Sequence, residues 1–336
     1  MKVNIQSSLH PYTIHIENHL LNHINEYLEP HRHYVIITDQ GVPTLYVNQI
    51  VEQVDKVYVK TIEQGESAKS MESYIHIMNF LTRNNITKAD CLIALGGGVV
   101  GDITGFVAST YLRGIDYIQI PTTLLAQVDA SIGGKTSINF AGAKNVIGQI
   151  FPPIKVLIDP QTLNTLSNRH FNNGIAEIIK YALIASKPLY DMLKEPHIIK
   201  RIDEIIYQSI LIKKTYVEND EFDQHQRHIL NFGHTLGHAY ESFYQYRKYL
   251  HGEAVALGML PMIKNETLKD DVINLLQKFE LPYKDEIKST DMAHWILKDK
   301  KRLTDTIDII LLDQIEQARI QNVPIQEIHD FFNNEV

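Results

Sequence analysis

A single cysteine, Cys91, is the whole thiol content of the 336 residues. One thiol excludes an intramolecular disulfide and fits a reducing compartment. Cys91 opens the apolar run CLIAL, where a buried structural thiol is expected rather than a nucleophile. No window approaches the run of roughly 20 apolar residues that a membrane span needs. The first residues, MKVNIQSSLHPYTIHI, lack the apolar core of a signal peptide. These absences predict a cytoplasmic protein with no membrane contact. Positive charge is not in excess either: 32 Lys and Arg stand against 40 Asp and Glu, a net charge of −8. That balance argues against general nucleic-acid binding and leaves room for a local basic pocket. Internal repeats and low-complexity tracts are also missing.

What is present is the material of an ordinary globular protein, 44% hydrophobic and 21% charged. The length suits two domains of roughly 100–200 residues each. Strands are predicted at Tyr12–Ile16, His33–Asp39, Lys56–Ile62, Ala89–Leu95 and Tyr117–Ile120, with a helix over residues 70–84. Strands separated by helices imply βαβ units and a mainly parallel sheet. After Asp159-Pro160 strand runs nearly vanish, and helical patterns cover 172–187, 197–218, 228–246, 251–268 and 271–279. The fold predicted is an α/β Rossmann-like nucleotide-binding domain over residues 1–158 and an all-α domain over 159–336. A ligand is expected in the cleft between them.

Four stretches carry possible chemistry. Asn231–Gly258 places His234, His238 and His251 beside small residues, Gly233, Gly237, Ala239, Gly252 and Ala254. His234 and His238 are four apart and share one face of a helix. Two imidazoles, one carboxylate and an open position hold catalytic divalent metals. Ordinary helix or loop histidines are the plainer reading in a chain with 16 of them. In CLIALGGGVVGD a strand runs into Gly96, Gly97, Gly98 and Gly101 ahead of a helical pattern. Glycine-exposed backbone N–H groups at a helix start can cradle a pyrophosphate. A tight glycine turn is the alternative, because at least two strands precede this one. Asp39, Glu66 and Lys69 are candidates for cofactor contacts, although each also fits a solvated loop charge. Pro121–Gly148 gathers Thr122, Thr123, Asp129, Lys135, Lys144 and Asn145, suited to anion contacts, and Arg113 adds a positive group. Glu177 and Lys180 are three apart among isoleucines and alanines, either a structural ion pair or part of a site. Lys213, Arg227 and Asn231 lie farther on, and the basic run DKKR (Asp299–Arg302) reads on its own as a solvated turn.

Taken together, GESAKS, GGGVVGD, PTTLLAQVDASIGGKT, AKNVIG, GIAEIIKY, NFGHTLGHAYE, HGEAVALGM and DKK resemble the 3-dehydroquinate synthases, in order and over almost the whole chain. The resemblance weakens at both termini, and Gln64 stands where many members carry aspartate. It implies a homodimer with an NAD-binding N-terminal domain and a helical C-terminal one. Its metal ligands are Glu177, His234 and His251, for Zn2+ with Co2+ able to substitute, and it makes His238 a substrate-site residue. NAD+ falls to Gly97, Gly98, Val99, Val100, Gly101, Asp102, Thr122, Thr123, Lys135, Lys144, Thr165, Glu66 and Lys69, with Asp39 on a ribose. Substrate contacts fall to Asp129, Lys135, Asn145, Lys180, Lys213, Arg227, Asn231, His238 and Lys300 or Lys301, and Arg113 reaches the partner subunit's site.

The reaction implied converts 3-deoxy-D-arabino-heptulosonate 7-phosphate to 3-dehydroquinate and phosphate, the second step of the shikimate pathway. It runs through transient oxidation at C5, β-elimination of phosphate, re-reduction, ring opening and aldol closure. Other sugar-phosphate cyclases, of valiolone or inosose type, and a metal-dependent polyol or glycerol dehydrogenase are the rival readings.

Overall fold

The computed structural model describes residues 1–287, 291, 295–296 and 305–334. The chain divides into two compact units, Met1–Leu166 and Ser167–Val336.

In the first unit, β1 (Lys2–Ile5), β2 (Tyr12–Ile16), β3 (Tyr34–Asp39), β4 (Val57–Ile62), β5 (Cys91–Gly96) and β6 (Asp116–Pro121) belong to one sheet. A separate antiparallel hairpin, β7 (Lys135–Phe140) and β8 (Ala143–Ile150), follows before β9 (Lys155–Ile158) completes the sheet. The strand order is β1-β2-β9-β6-β5-β3-β4, parallel throughout except for β1 against β2. Alternate residues feed two cores. Val35, Ile37, Leu92 and Tyr117 pack with Ile77 and Leu81 of α2 (Met71–Arg83) and Ile103 and Val107 of α3 (Gly98–Thr110). Tyr34, Ile36, Cys91, Ile93 and Ile118 pack instead with Leu20, Leu21, Tyr46 and Ile50. Burial of both faces explains why these strands read as continuous apolar runs. Cys91 lies wholly inside, and burial pushes its thiol pKa up, so it is inert.

The order of the strands reverses at β3, with β4 on one side and β5 on the other. Ligands of doubly wound sheets bind at the carboxyl ends beside such a reversal. Asp39 ends β3 there, and Gly96 ends β5 ahead of Gly97 and Gly98.

The second unit is built on α4 (Asn168–Ala185), which is buried from Asn173 to Ile184 and packs against α5 (Lys187–Lys194), α6 (Ile202–Asn219) and α8 (His251–Met259). Between them run α7 (His234–Phe243) and, later, α9 (Glu266–Lys278). Three of the predicted helices are shorter than their patterns, that over 197–218 being α-helical only from Ile202, after the 3-10 turn Ile198–Arg201. The one read over 228–246 begins at His234, because Gly233 takes the left-handed conformation, φ 77°. The one read over 251–268 gives way after Met259 to a 3-10 turn containing Pro261, whose ring cannot continue an α-helix. An antiparallel hairpin, Thr306–Leu312 with Ala318–Pro324, joins this otherwise helical unit. Among the described residues no helix is long and apolar enough to cross a membrane.

Candidate active site

Glycines set the geometry of the second unit's site. A Cβ on Gly258 would lie 2.1 Å from the Gly233 carbonyl oxygen, so α7 and α8 meet backbone to backbone. A Cβ on Gly252 would lie 2.0 Å from the carbonyl oxygen of Asn173 on α4. The Asn173 side chain also accepts from the Gly252 N–H at 2.7 Å. Arg169, at the start of α4, holds both Glu253 oxygens at 2.7 Å, while Glu253 accepts from the Leu250 N–H at 2.8 Å. The first turn of α8, which begins with His251, is therefore fixed to α4. Gly252→Ala forces backbone apart, and overpacking of this kind costs typically about 1–3 kcal/mol. A fall in Tm of roughly 4–8 °C is expected by calorimetry; an unchanged Tm would count against this packing account.

Glu177 sits one turn beyond Asn173 and is 0% exposed. Its Oε1 lies 3.6 Å from His234 Nε2 and 3.7 Å from His251 Nε2. The Lys180 ammonium, itself 2% exposed, lies against Oε2. That contact is close but poorly aligned, and neither carboxylate oxygen accepts a well-formed hydrogen bond. Buried carboxylates are normally satisfied. A tetrahedral ion with ligands near 2.1 Å separates its donor atoms by about 3.4 Å, and the donor atoms of this trio lie within 4.8 Å of one another. The trio fits a divalent metal. His234 suits the role electrostatically: burial first, then the charges of Lys180, His251 and His238, hold its pKa well below the ordinary value. Its Nδ1 lies 3.2 Å from the Phe232 carbonyl oxygen. Assigning the proton to Nδ1 leaves the Nε2 lone pair facing Glu177.

In the first unit, Gly97 precedes α3, and its Cβ would meet Thr123 Cγ2 at 3.1 Å; a Cβ on Gly98 would meet Ala130 at 3.2 Å. The Thr122 N–H donates to the Gly96 carbonyl at 3.0 Å. The glycine turn thus lies against Thr122, Thr123 and the short π-helical turn Ala126–Ala130 that carries Asp129. Such turns are rare and frequent at functional sites. Lys69 is buried, with its ammonium against both Asp102 of α3 and Asn145 of β8. Asn139 of β7 donates to Glu66 Oε1 at 2.8 Å and accepts from the Asn145 N–H at 2.9 Å. One network therefore joins the QGESAK loop, Asp102 of α3 and the hairpin. Burial raises the Asp39 pKa, against the Gly41 N–H that donates to it at 2.7 Å.

Residues 59–173 match the family described as 3-dehydroquinate synthase N-terminal, and 174–302 that described as 3-dehydroquinate synthase C-terminal. The chain belongs to the 3-dehydroquinate synthase family. The 3-dehydroquinate synthase of Enterococcus faecalis is 41% identical, over 100% of this chain and 99% of its own. That of Streptococcus gordonii is 39% identical, over 98% and 99%. The solved structure of 2-epi-5-epi-valiolone synthase from Streptomyces hygroscopicus, with NAD+ and Zn2+ bound, superposes with TM-score 0.85 at 28% identity over 95% of each chain.

Within the second unit the structure brings Glu177, His234, His251 and Lys180 together, with His238 5.5 Å from His234 between ring centroids. Lys213 on α6 is buried, and so is Arg227, whose Nη1 donates to the Glu221 carbonyl at 2.8 Å. Asn231 is exposed at the end of the 3-10 turn Gln226–Asn231, which packs on α4 and α6. In the first unit Lys135 is exposed at the start of β7, Lys144 is half-buried on β8, and the Thr165 hydroxyl contacts Tyr46 Oη at 2.9 Å. Arg113 is exposed in the left-handed region, φ 64°. Lys300 and Lys301 lie outside the described residues. Asn139, Arg169, Glu241 and Glu253 were not singled out from sequence. Glu241, at i+3 from His238, carried a helical-spacing signal that would have found it.

The segment leading into His251 is pinned by Asp285. Its carboxylate accepts from Tyr244 Oη at 2.7 Å, Lys248 Nζ at 2.8 Å, the Ile287 N–H at 2.8 Å and the Tyr249 hydroxyl. Burial alone would raise its pKa, but these donors bring it down to about 2 from 3.8. A depressed folded-state pKa contributes stability above the unfolded value that disappears as pH falls through the folded one. Asp285→Asn should lower Tm at neutral pH and flatten the decline between pH 4 and about 2. Parallel acid-denaturation curves for the two proteins would refute this.

Proposed function

We propose that the chain converts 3-deoxy-D-arabino-heptulosonate 7-phosphate to 3-dehydroquinate and phosphate, the activity for which its family is named. The observation that carries the reading is the convergence of a wholly buried, poorly satisfied carboxylate and two imidazole nitrogens in a chain of this family. A bound divalent ion would supply Lewis acidity toward vicinal hydroxyls and the ketone, and a bound NAD+ would supply reversible hydride exchange at C5.

The chain's own residues bind and orient. Glu177, His234 and His251 are the metal ligands in this reading, and neutral imidazoles beside a carboxylate are the donor set a zinc or cobalt ion takes. The Gly97–Asp102 turn, Thr122, Thr123, Lys144, Thr165, Glu66, Lys69 and Asp39 hold the dinucleotide, with the pyrophosphate at the start of α3. Lys135, Asn145, Lys180, Lys213, Arg227, Asn231, His238 and one of Lys300 and Lys301 neutralise and orient a phosphate and a carboxylate, with Asp129 on a hydroxyl. In this reading the substrate's own phosphate takes the C6 proton, so the protein's contribution is orientation and charge stabilisation. A homodimer with Arg113 near the partner's site, and a cytoplasmic location, belong to the same reading.

Lys180, Arg227 and Asn231 favour this substrate over those of the sister cyclases, because a carboxylate needs cationic and amide partners. The test is incubation with the heptulosonate phosphate, NAD+ and Zn2+, following phosphate release. Stoichiometric phosphate with no net NADH supports the synthase. Net NADH from a simple polyol would indicate a dehydrogenase, and phosphate release only from a substrate without the carboxylate would indicate a sister cyclase.

A further inference from the structure

His251 is addressed from both sides by buried carboxylates. Its Nε2 faces Glu177 Oε1 at 3.7 Å, and its Nδ1 faces Glu241 Oε2 at 3.6 Å. The Glu241 side chain is 5% exposed, on the third turn of α7. A charge taken out of water at that depth has to be compensated. At 3.6 Å the Nδ1–Oε2 contact is longer than a hydrogen bond, and a movement of about 0.7 Å closes it to one. His234 repeats the pattern with a different acceptor: Nδ1 toward the Phe232 carbonyl at 3.2 Å, Nε2 toward Glu177 at 3.6 Å. Each imidazole thus has one nitrogen against an acceptor and the other aimed at the same carboxylate oxygen. Metal-bound histidines are oriented in this way by a carboxylate or carbonyl behind the ring.

The geometry points to Glu241 as a positioning residue, which holds His251 with its proton on Nδ1 and its Nε2 lone pair directed at Glu177. This rests on the metal reading above and deepens it. Glu241 adds negative charge behind the cluster and fixes the ring whose backbone Gly252 presses onto α4. A competing geometry exists, because His238, Glu241 and His251 also bring donor atoms within 4.8 Å of one another. There Glu241 would be a ligand. The first trio is favoured by Glu177, whose oxygens accept no well-formed hydrogen bond, and by the Nδ1–carbonyl contact that leaves His234 Nε2 facing it.

The experiment titrates Zn2+ into the full-length apoprotein against a competing chelator, for the wild type, Glu241→Ala, Glu241→Gln and His238→Ala. Loss of a group that orients a metal-bound histidine weakens binding typically 10–100-fold, and Glu241→Ala should fall in that range. Glu241→Gln, whose amide oxygen still accepts from Nδ1–H, should recover most of the affinity. The visible bands of the Co2+-loaded protein should shift in the alanine variant and return in the glutamine one, a signature that a merely structural residue would not move. His238→Ala should bind zinc almost as the wild type does. Zinc affinity for Glu241→Ala within about twofold of the wild type, outside the range expected for such a group, overturns the proposal. So does a loss in His238→Ala as large as that in Glu241→Ala, which would place the ion in the second trio. A wild type that binds no zinc at all defeats instead the underlying metal assignment. Should the alanine variant fail to fold, nitrogen NMR of the zinc-loaded wild type decides: a His251 proton on Nδ1 supports the assignment and one on Nε2 overturns it.

Discussion

Glu177→Gln is expected to lose its metal on dialysis and to turn over about a thousandfold more slowly, or worse. A Lewis acid at a reacting centre contributes several kcal/mol, and each 1.36 kcal/mol is worth about tenfold in rate. The amide keeps the volume of the side chain but gives up the charge that His234 Nε2 and His251 Nε2 face at 3.6 and 3.7 Å. Metal content carries the test rather than activity alone, because Lys180 loses its counter-charge in the same substitution and the fold weakens with it. Elemental analysis after dialysis, beside a steady-state assay, is the measurement. A variant that keeps one ion per chain and normal turnover would remove Glu177 from the ligand set.

Lys69→Met should have the next largest effect. The ammonium is buried between Asp102 and Asn145, and removing one partner of a buried pair costs about 3 kcal/mol or more. Tm should drop by roughly 6–12 °C. NAD+ affinity should fall as well, by about tenfold or more, since a charge-assisted hydrogen bond is worth about 1.5–3 kcal/mol. Calorimetric titration of NAD+ separates the two effects. A lowered Tm with unchanged cofactor affinity would leave Lys69 with a structural role alone.

Much of the first unit was legible because β3, β5 and β6 are buried on both faces and β2 alternates. Tyr12–Ile16 was read at its observed limits, and β3, β4, β5 and β6 within two residues of theirs. The hairpin of β7 and β8 escaped notice. Its turn places Ala141 at φ 50° before Gly142 at φ 80°, and alanine is not the residue that usually announces such a turn. Its second strand, AKNVIGQI, is largely exposed and its apolar residues do not alternate, so no strand period marks it. The run IDIILL was missed as a strand for the opposite reason: it is buried along most of its length and shows no clear period.

The candidate metal trio of Glu177, His234 and His251 shows where reading by spacing stops. Periodicity reports on a single helix, and on α7 it pairs His234 with His238. The arrangement found draws on three helices, with Glu177 contributed by α4 and His251 by α8. What brings them together is close approach of backbones at Gly252 and Gly258, which sequence marks only as small residues near histidines. The trio was named through the family resemblance, and its ordering principle became visible only in the packing.

Cys91 lies buried at the start of β5, the interior strand that delivers the glycine turn. Because it is the chain's one thiol, any thiol reagent that modifies the native protein must wait for that strand to open. The pace of modification is then a direct clock for opening of the nucleotide-type core, read without inserting a probe.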